Sequence, residues 1–166
     1  MRVLYAYPFC GLGGVEVSVL NRIDALAAHG IEGHALFREF YGTGGASSLS
    51  GDARVTVTSD PARIRVLLRR GFDVVVAVDD PEFLEYLASR PHTGPVVFET
   101  HVSEPDAFDR LLRVITHPRV DHVVVPSRFS RGIVLERGVD PAAVTVLTNL
   151  VDTERFTANA ASGRDA

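Results

Sequence analysis

The chain alternates short apolar runs, rich in β-branched residues, with amphipathic stretches of helical period. Several runs are apolar on both alternations, which is typical of strands covered on both faces. Seven runs are predicted as strands, at residues 3–7, 34–37, 55–58, 74–78, 96–99, 122–125 and 144–147. Strand–helix alternation at this density predicts an α/β fold: a single Rossmann-like, doubly wound domain with a mainly parallel sheet of about seven strands.

The predicted helices carry start and stop signals. Before the second strand, an apolar stripe recurs at helical spacing, and Gly30 follows it as a stop. The stripe consists of Val19, Leu20, Ile23, Leu26 and Ala27. Farther along, Asp60 and Asp80 each precede a proline, the arrangement of a capping carboxylate before a helix that begins with proline. Helices are therefore expected after the first, third and fourth strands.

One domain is expected over residues 1–152, because a chain of 166 residues suffices for one hydrophobic core. Residues 153–166 are expected to be the frayed start of a linker. Residues 42–51 are predicted as a flexible loop, and residues 103–106 as a capping box. A helical stripe follows that box at Phe108, Leu111, Leu112 and Ile115.

Composition excludes several classes of protein. All 17 basic residues are arginine, so the lysine of a phosphate-binding P-loop, of a Schiff base or of a protein kinase is absent. The net charge of −4 argues against nucleic acid as a partner. No apolar run approaches the roughly 20 residues that cross a bilayer. The single cysteine, Cys10, fits a reducing compartment, and a cytoplasmic location is expected.

Polar residues and glycines follow the predicted strands. Open parallel sheets bind ligands beyond the carboxyl ends of their strands, so these residues are expected to share one edge. His101 is the candidate catalytic residue, since an imidazole can contact a substrate hydroxyl or accept a proton; a purely structural, hydrogen-bonded histidine is the alternative. The candidate substrate- or phosphate-binding residues are Gly13, Gly14, Glu16, Asp79, Ser127 and Asn149.

Residues 11–14, Gly-Leu-Gly-Gly, form a glycine-rich loop between the first strand and the first helix. Glycine lets the backbone approach a ligand, and the amides of a helix start favour an anion. A dinucleotide fingerprint would need a third glycine where Glu16 stands, and that carboxylate would repel a pyrophosphate. Glu39 could still serve as the ribose-binding acid, and a tight turn without a ligand is a further alternative.

Other readings of the residues are weaker. Cys10 and His101 could meet as a thiol and its base, although a free cysteine is usually a small buried hydrophobe. The acidic residues 79–82 resemble metal ligands, but helix capping explains Asp80, and no metal is predicted. Arginines flank an apolar stripe at residues 63–70, so contact with an anionic membrane surface is possible beside the simpler solvated helix face.

Several segments, taken in order, resemble the N-terminal domain of GT-B glycosyltransferases, specifically the retaining enzymes of family 4. The resemblance runs from residue 1 to about residue 156. The matching segments are residues 13–16, 28–30, 72–76, 97–101, 121–129, 138–146 and 149–152, with Phe156.

The resemblance implies two Rossmann-like domains that face each other across a cleft. The N-terminal domain mostly binds the acceptor, and the C-terminal domain mostly binds a nucleoside-diphosphate sugar. The loop at Gly13 and Gly14 then lies near the donor phosphates, His101 contacts the transferring sugar or the acceptor, and Asn149 leads into the hinge. No metal and no cofactor beyond the donor substrate are implied.

This sequence departs from the family pattern, because it ends just beyond the hinge motif and lacks the Glu-x7-Glu motif of the donor-binding domain. The implied function is that of the acceptor-side part of a glycosyltransferase, inactive without its C-terminal domain. That missing domain and a small-molecule or glycan acceptor are the expected partners. The alternative is a stand-alone module that binds a nucleotide or a metabolite.

Overall fold

The structure, a computed structural model, describes residues 1–11, 13–42, 51–89, 94–102 and 114–149. Its strands are β1 (Arg2–Cys10), β2 (Glu32–Phe40), β3 (Val55–Val57), β4 (Val74–Val78), β5 (Val96–Glu99), β6 (His122–Val125) and β7 (Val144–Val146). Its helices are α1 (Gly14–Ala27), α2 (Pro61–Leu68), α3 (Pro81–Ala88) and α4 (Arg128–Glu136), and a 3-10 turn covers Pro141–Ala143.

All seven strands join one sheet in the order β3-β2-β1-β4-β5-β6-β7. Every neighbouring pair is parallel, which confirms the predicted α/β fold. The chain builds outwards from β1 to β3 and then crosses to β4 on the other side of β1. The strand order therefore reverses between β1 and β4, the place where open parallel sheets form a crevice for ligands.

Two predicted strands were too short. β1 and β2 continue beyond their predicted ends, and Phe9 pairs with Glu39 after Tyr7 pairs with Phe37. Pro8 has no amide hydrogen to donate to the sheet, and the apolar pattern alone predicted that the strand ends before it. In the structure Pro8 lies within β1. Ladder pairing sets strand ends, which also makes β3 and β7 one residue shorter than predicted.

The sheet buries an apolar layer on each face. One layer joins the sheet to α2, α3 and α4 and includes Leu4, Phe83 and Phe98. The other joins it to α1 and includes Val19 and Phe37. Both faces of the central strands are therefore covered, as their continuous apolar runs predicted.

The predicted stripe of α1 was only partly correct. Val19 and Ile23 are buried, Leu20 and Leu26 are half-buried, and Ala27 is exposed. The helix instead buries polar side chains next to the two apolar ones: Glu16, Ser18 and Arg22. Hydrophobic periodicity missed these three because their partners are polar groups elsewhere in the chain, as the site below shows.

The predicted caps at Asp60 and Asp80 are confirmed. Asp60 accepts a hydrogen bond of 2.8 Å from the Ala62 amide, and Asp80 accepts one of 3.0 Å from the Phe83 amide. Helix α2 buries Ile64 while its arginines are exposed, so membrane contact by this face stays a prediction. The predicted capping box, most of the stripe after it, most of the flexible loop and the linker lie outside the described residues.

Candidate functional site

Most of the predicted site residues lie at the carboxyl ends of β1, β4 and β5, which are neighbours in the sheet. The glycine loop follows β1, Asp79 follows β4 and His101 follows β5. Tyr7 of β1 is close to Glu16 on one side of this edge and to Asp79 on the other. Burial raises the pKa of its phenol to about 12, and the charges of these two carboxylates contribute to the shift. We call this edge, from the glycine loop to His101, the rim.

Glu16 holds the glycine loop in place. Its carboxylate is buried, and Oε1 accepts a hydrogen bond of 3.0 Å from the Gly11 amide. A Cβ on Gly11 would lie 2.9 Å from Oε1, and a Cβ on Gly13 would lie 2.6 Å from Oε2. Glycine at these two positions therefore leaves room for the carboxylate. The predicted role of Glu16 and Gly13 in binding a substrate stays a prediction.

Gly14 begins α1 and has a different environment. A Cβ at this position would meet no atom of the described residues within 4 Å. No side chain caps α1, whereas a carboxylate or hydroxyl side chain caps each of α2, α3 and α4. Beside the loop lies an open pocket of about 540 Å³. Its lining residues are Tyr7, Phe9, Gly11, Gly13, Gly14, Val15, Glu16 and Tyr41.

Behind the rim, a chain of polar contacts leads from α1 to His101. The Arg22 guanidinium donates through Nη1 to Oε2 of Glu99, and both side chains are almost fully buried, at 4% and 3% exposed. The other carboxylate oxygen of Glu99, Oε1, lies 2.6 Å from Nε2 of His101. The His101 side chain is 12% exposed, so its ring lies at the edge of this buried pair.

Asp79 supports the same segment from β4. Its backbone has φ +44°, which is uncommon for a residue with a Cβ and tolerated best by short polar side chains. Its Oδ2 accepts a hydrogen bond of 3.1 Å from the His101 amide, and Thr100 bonds it through its hydroxyl. Burial raises the pKa of the carboxyl, and these two hydrogen bonds oppose the shift. Asp79 thus ties the ends of β4 and β5 together.

The structure places the last two candidates differently. Ser127 caps α4, where its hydroxyl accepts a hydrogen bond of 3.0 Å from the Ser130 amide. Asn149 lies beyond β7, and its Oδ1 accepts a hydrogen bond of 3.1 Å from the Ser18 hydroxyl of α1. Asn149 is therefore brought to the helix that begins at the glycine loop. Among the described residues, Ser127 forms no hydrogen bond with another candidate.

The reading of Cys10 as a nucleophile finds little support in the geometry. Cys10 is fully buried, and burial raises the pKa of its thiol, which disfavours the thiolate of a nucleophile. In the described part of the chain, no group of three histidine, cysteine or acidic side chains could hold a metal ion. Within the same residues, no helix is long and apolar enough to span a bilayer.

Sequence reasoning missed Arg22 and Glu99. Each is a charged residue inside a pattern that predicts burial: Arg22 adjoins Ile23 in the stripe of α1, and Glu99 ends the apolar run of β5. Such residues are almost never fully buried unless they are paired. The conflict between charge and predicted burial is the sequence signal that could have identified Arg22 and Glu99.

The solved structures that are similar to this chain include several glycosyltransferases. The lipopolysaccharide outer core galactosyltransferase WaaB is 14% identical, with a TM-score of 0.71 over 92% of this chain and 46% of that one. HepE of Anabaena, in complex with UDP-glucose, is 19% identical, with a TM-score of 0.69 over 93% and 45%. An alpha-glucosyltransferase, in complex with UDP-glucose and DNA containing an abasic site, is 16% identical, with a TM-score of 0.69 over 95% and 45%.

The chain thus spans less than half the length of these structural neighbours. No curated protein sequence matches it. The model of one protein family, Glycosyltransferase Family 4, matches residues 12–155, which is most of the chain. The resemblance to the N-terminal domain of a GT-B glycosyltransferase is confirmed, and the chain belongs to glycosyltransferase family 4.

Proposed function

We propose that the chain is the acceptor-side domain of a retaining glycosyltransferase, which moves a sugar from a nucleoside-diphosphate sugar to an acceptor hydroxyl. Membership of family 4 supports this class of reaction. Length supports the view that the chain is one part of such an enzyme, because HepE is about twice as long as the part that this chain covers. Transfer then requires a donor-binding domain on the other side of the cleft.

The start of α1 is the observation that carries the proposal. Packing against Glu16 explains why Gly11 and Gly13 lack a Cβ, but no described residue explains the same absence at Gly14. A ligand that approaches the backbone closely would explain it. The departing nucleoside diphosphate is an anion, and the amides and dipole of a helix start without a side-chain cap stabilise negative charge as it develops. The Glu16 carboxylate, which would repel a pyrophosphate that it faced, is buried and bonded to the Gly11 amide instead.

The remaining candidates receive supporting roles in this proposal. His101 bonds a hydroxyl of the sugar, while Asp79 keeps the segment after β5 in place through the His101 amide. Glu16 orients the loop through Gly11. Asn149 and Ser127 contact the substrates from the ends of β7 and β6. The amides bear the charge of the leaving group, so the proposed reaction requires neither a metal nor a cofactor.

Titration of the isotope-labelled chain with UDP-glucose, followed by amide NMR, tests the proposal. We expect the amides of Gly13, Gly14 and Val15 to shift as UDP-glucose binds weakly. Gly14→Val should abolish these shifts while the fold stays intact, because its Cβ meets no atom of the described residues and blocks only the ligand. Gly132→Val, at another glycine with open space around its Cβ, is the matched control.

Unchanged affinity in Gly14→Val, or shifts confined to other parts of the chain, would remove the loop as the donor site. A third result would favour the stand-alone binding module over the transferase domain. In that case the chain alone would bind UDP tightly, with a Kd of roughly micromolar or below, and the glucose would add nothing.

A further inference from the structure

Glu99 has a hydrogen-bond partner on each of its two carboxylate oxygens. Oε2 takes the Arg22 guanidinium, and Oε1 lies 2.6 Å from Nε2 of His101. An ionised carboxylate can only accept, and a guanidinium is always charged and can only donate. The imidazole must therefore carry a proton on Nε2. In a neutral ring the other nitrogen, Nδ1, is then an acceptor.

Nδ1 remains available for a ligand, because no described residue forms a hydrogen bond with it. The ring is partly accessible, while Glu99 and Arg22 behind it are not. The ring is also held at its backbone, where Asp79 accepts from the His101 amide. Both the position and the proton of the imidazole are thus set from inside the protein.

The Arg22 guanidinium is not an optimal structural contact. In the described part of the chain, its Nε and Nη2 are buried without a hydrogen-bond partner. A buried charge with unsatisfied donors costs stability, and apolar residues often fill such space at least as well. What the guanidinium does accomplish is to bind one oxygen of Glu99 and leave the other for His101.

We propose that Glu99 and Arg22 are positioning residues that hold His101 as the Nε2–H tautomer and so present Nδ1 as the acceptor for a hydroxyl donor. Only the identity of that hydroxyl, a sugar hydroxyl, rests on the proposed function. The inference assigns His101 the role of accepting a hydrogen bond from the substrate. Donation from Nδ1 would require the opposite tautomer.

The tautomer can be read directly by long-range ¹H–¹⁵N correlation of the histidine rings of the chain, at mildly alkaline pH and without substrate. In the wild-type chain we expect Nε2–H of His101 to exceed Nδ1–H by roughly tenfold or more, given the strength of a hydrogen bond to a charged acceptor. A dominant Nδ1–H form, or an even mixture, would overturn the inference. This measurement depends on no variant.

Glu99→Gln should reverse the tautomer. The amide has one oxygen, which the guanidinium of Arg22 requires, so its NH₂ group faces His101 and donates to Nε2. The proton then moves to Nδ1. Adding Arg22→Met frees the amide oxygen for His101, and the double variant should return to Nε2–H. Nε2–H in all three proteins would show that Glu99 and Arg22 do not set the tautomer.

The chain contains a matched control. Glu32 accepts from Nε of Arg2 at 3.1 Å and lies 2.6 Å from Nε2 of His34, so the same three residue types recur. There the carboxylate side chain is 54% exposed. Water can satisfy either end of an amide at that position, so Glu32→Gln should give a mixture of His34 tautomers. Glu99→Gln should leave His34 unchanged.

The test stays separate from that of the proposed function. The histidine spectra are recorded without UDP-glucose, so absent nucleotide binding would count against the transferase proposal alone. Conversely, an Nδ1–H form of His101 in the wild-type chain would rule out the positioning role of Glu99 and Arg22, whatever the loop at Gly14 binds.

Discussion

Single side chains decide how the glycine loop should be interpreted. A glycine-rich turn before a helix predicts a ligand, because absent Cβ atoms permit close approach. At Gly11 and Gly13 the approaching group is the chain's own Glu16 carboxylate. Of the three described glycines of this loop, Gly14 alone has no described atom within 4 Å of its missing Cβ, so it is the one that best reports a ligand although the three look alike in sequence.

Tyr7 provides a residue-scale prediction for the rim. Burial, with added repulsion from Glu16 and Asp79, raises the pKa of its phenol to about 12. Alkaline titration, followed by phenolate absorbance, should show a component near pH 12 that Tyr7→Phe removes. Tyr41→Phe, at an exposed ring, is the control and should retain it. A titration curve that Tyr7→Phe leaves unaltered would place Tyr7 outside this charged environment.

The sign of the effect on stability follows from the same pKa. The folded protein holds this proton at a pH above about 10, where an unfolded tyrosine loses it. The folded state then binds more protons than the unfolded state, so the free energy of unfolding falls as the pH rises from about 10 to about 12. Urea unfolding across this range should show the fall in the wild-type chain and a smaller one in Tyr7→Phe.

At the scale of elements, α1 differs from the other helices. Helices α2, α3 and α4 each begin with a side-chain cap, and they cover one face of the sheet. Helix α1 covers the other face with few apolar residues, begins without a cap and buries Glu16, Ser18 and Arg22. Its polar residues reach the loop, the segment after β7 and the end of β5.

The packing of α1 against the sheet depends on Gly33 of β2. A Cβ there would lie 2.9 Å from Cγ1 and 3.2 Å from the backbone Cα of Ile23, too close for either atom. Gly33→Ala should therefore lower the free energy of unfolding by about 1–3 kcal/mol through overpacking. Urea unfolding monitored by circular dichroism measures this change.

The matched substitution is Gly132→Ala in α4, where the new Cβ meets no atom within 4 Å. It should raise the free energy of unfolding by about 0.5–1 kcal/mol, because alanine is the better helix former. Equal stabilities for the two variants would mean that α1 shifts on the sheet at no cost.

At the scale of the whole molecule, the proposed function makes the rim one wall of a site. The reversal of strand order between β1 and β4 brings the loop, Asp79 and His101 to one edge, and the chain covers less than half of each structural neighbour. We therefore expect no transfer of glucose from UDP-glucose to any acceptor by this chain alone. A longer polypeptide that joins it to a donor-binding domain should be active, measured by release of UDP.

Gly14→Val in that longer polypeptide should lower kcat/KM, while Gly132→Val should leave it near the wild-type value. Transfer by the chain alone, confirmed by its loss in Gly14→Val, would contradict the division between acceptor-side and donor-side domains.

Much of the fold could be predicted from local pattern. The β-branched runs predicted β4, β5 and β6 at their observed bounds, and the aspartate–proline pairs predicted the starts of α2 and α3. The end of β1 could not be predicted, because pairing with β2 carries the strand past Pro8. Hydrophobic periodicity did not predict the buried polar face of α1 for a similar reason, since the partners of these polar residues are remote in sequence.

The sequence by itself determined the seven strands, the helices α1, α2 and α3, the parallel class of the sheet and the edge at which ligands are expected, because periodicity and caps act over a few neighbouring residues. Only the tertiary structure decided which side chains meet at that edge. Arg22 and Glu99 are separated by 77 residues, and Ser18 and Asn149 by 131. Such pairs depend on which strands become neighbours, a property of the whole chain that no local pattern carries.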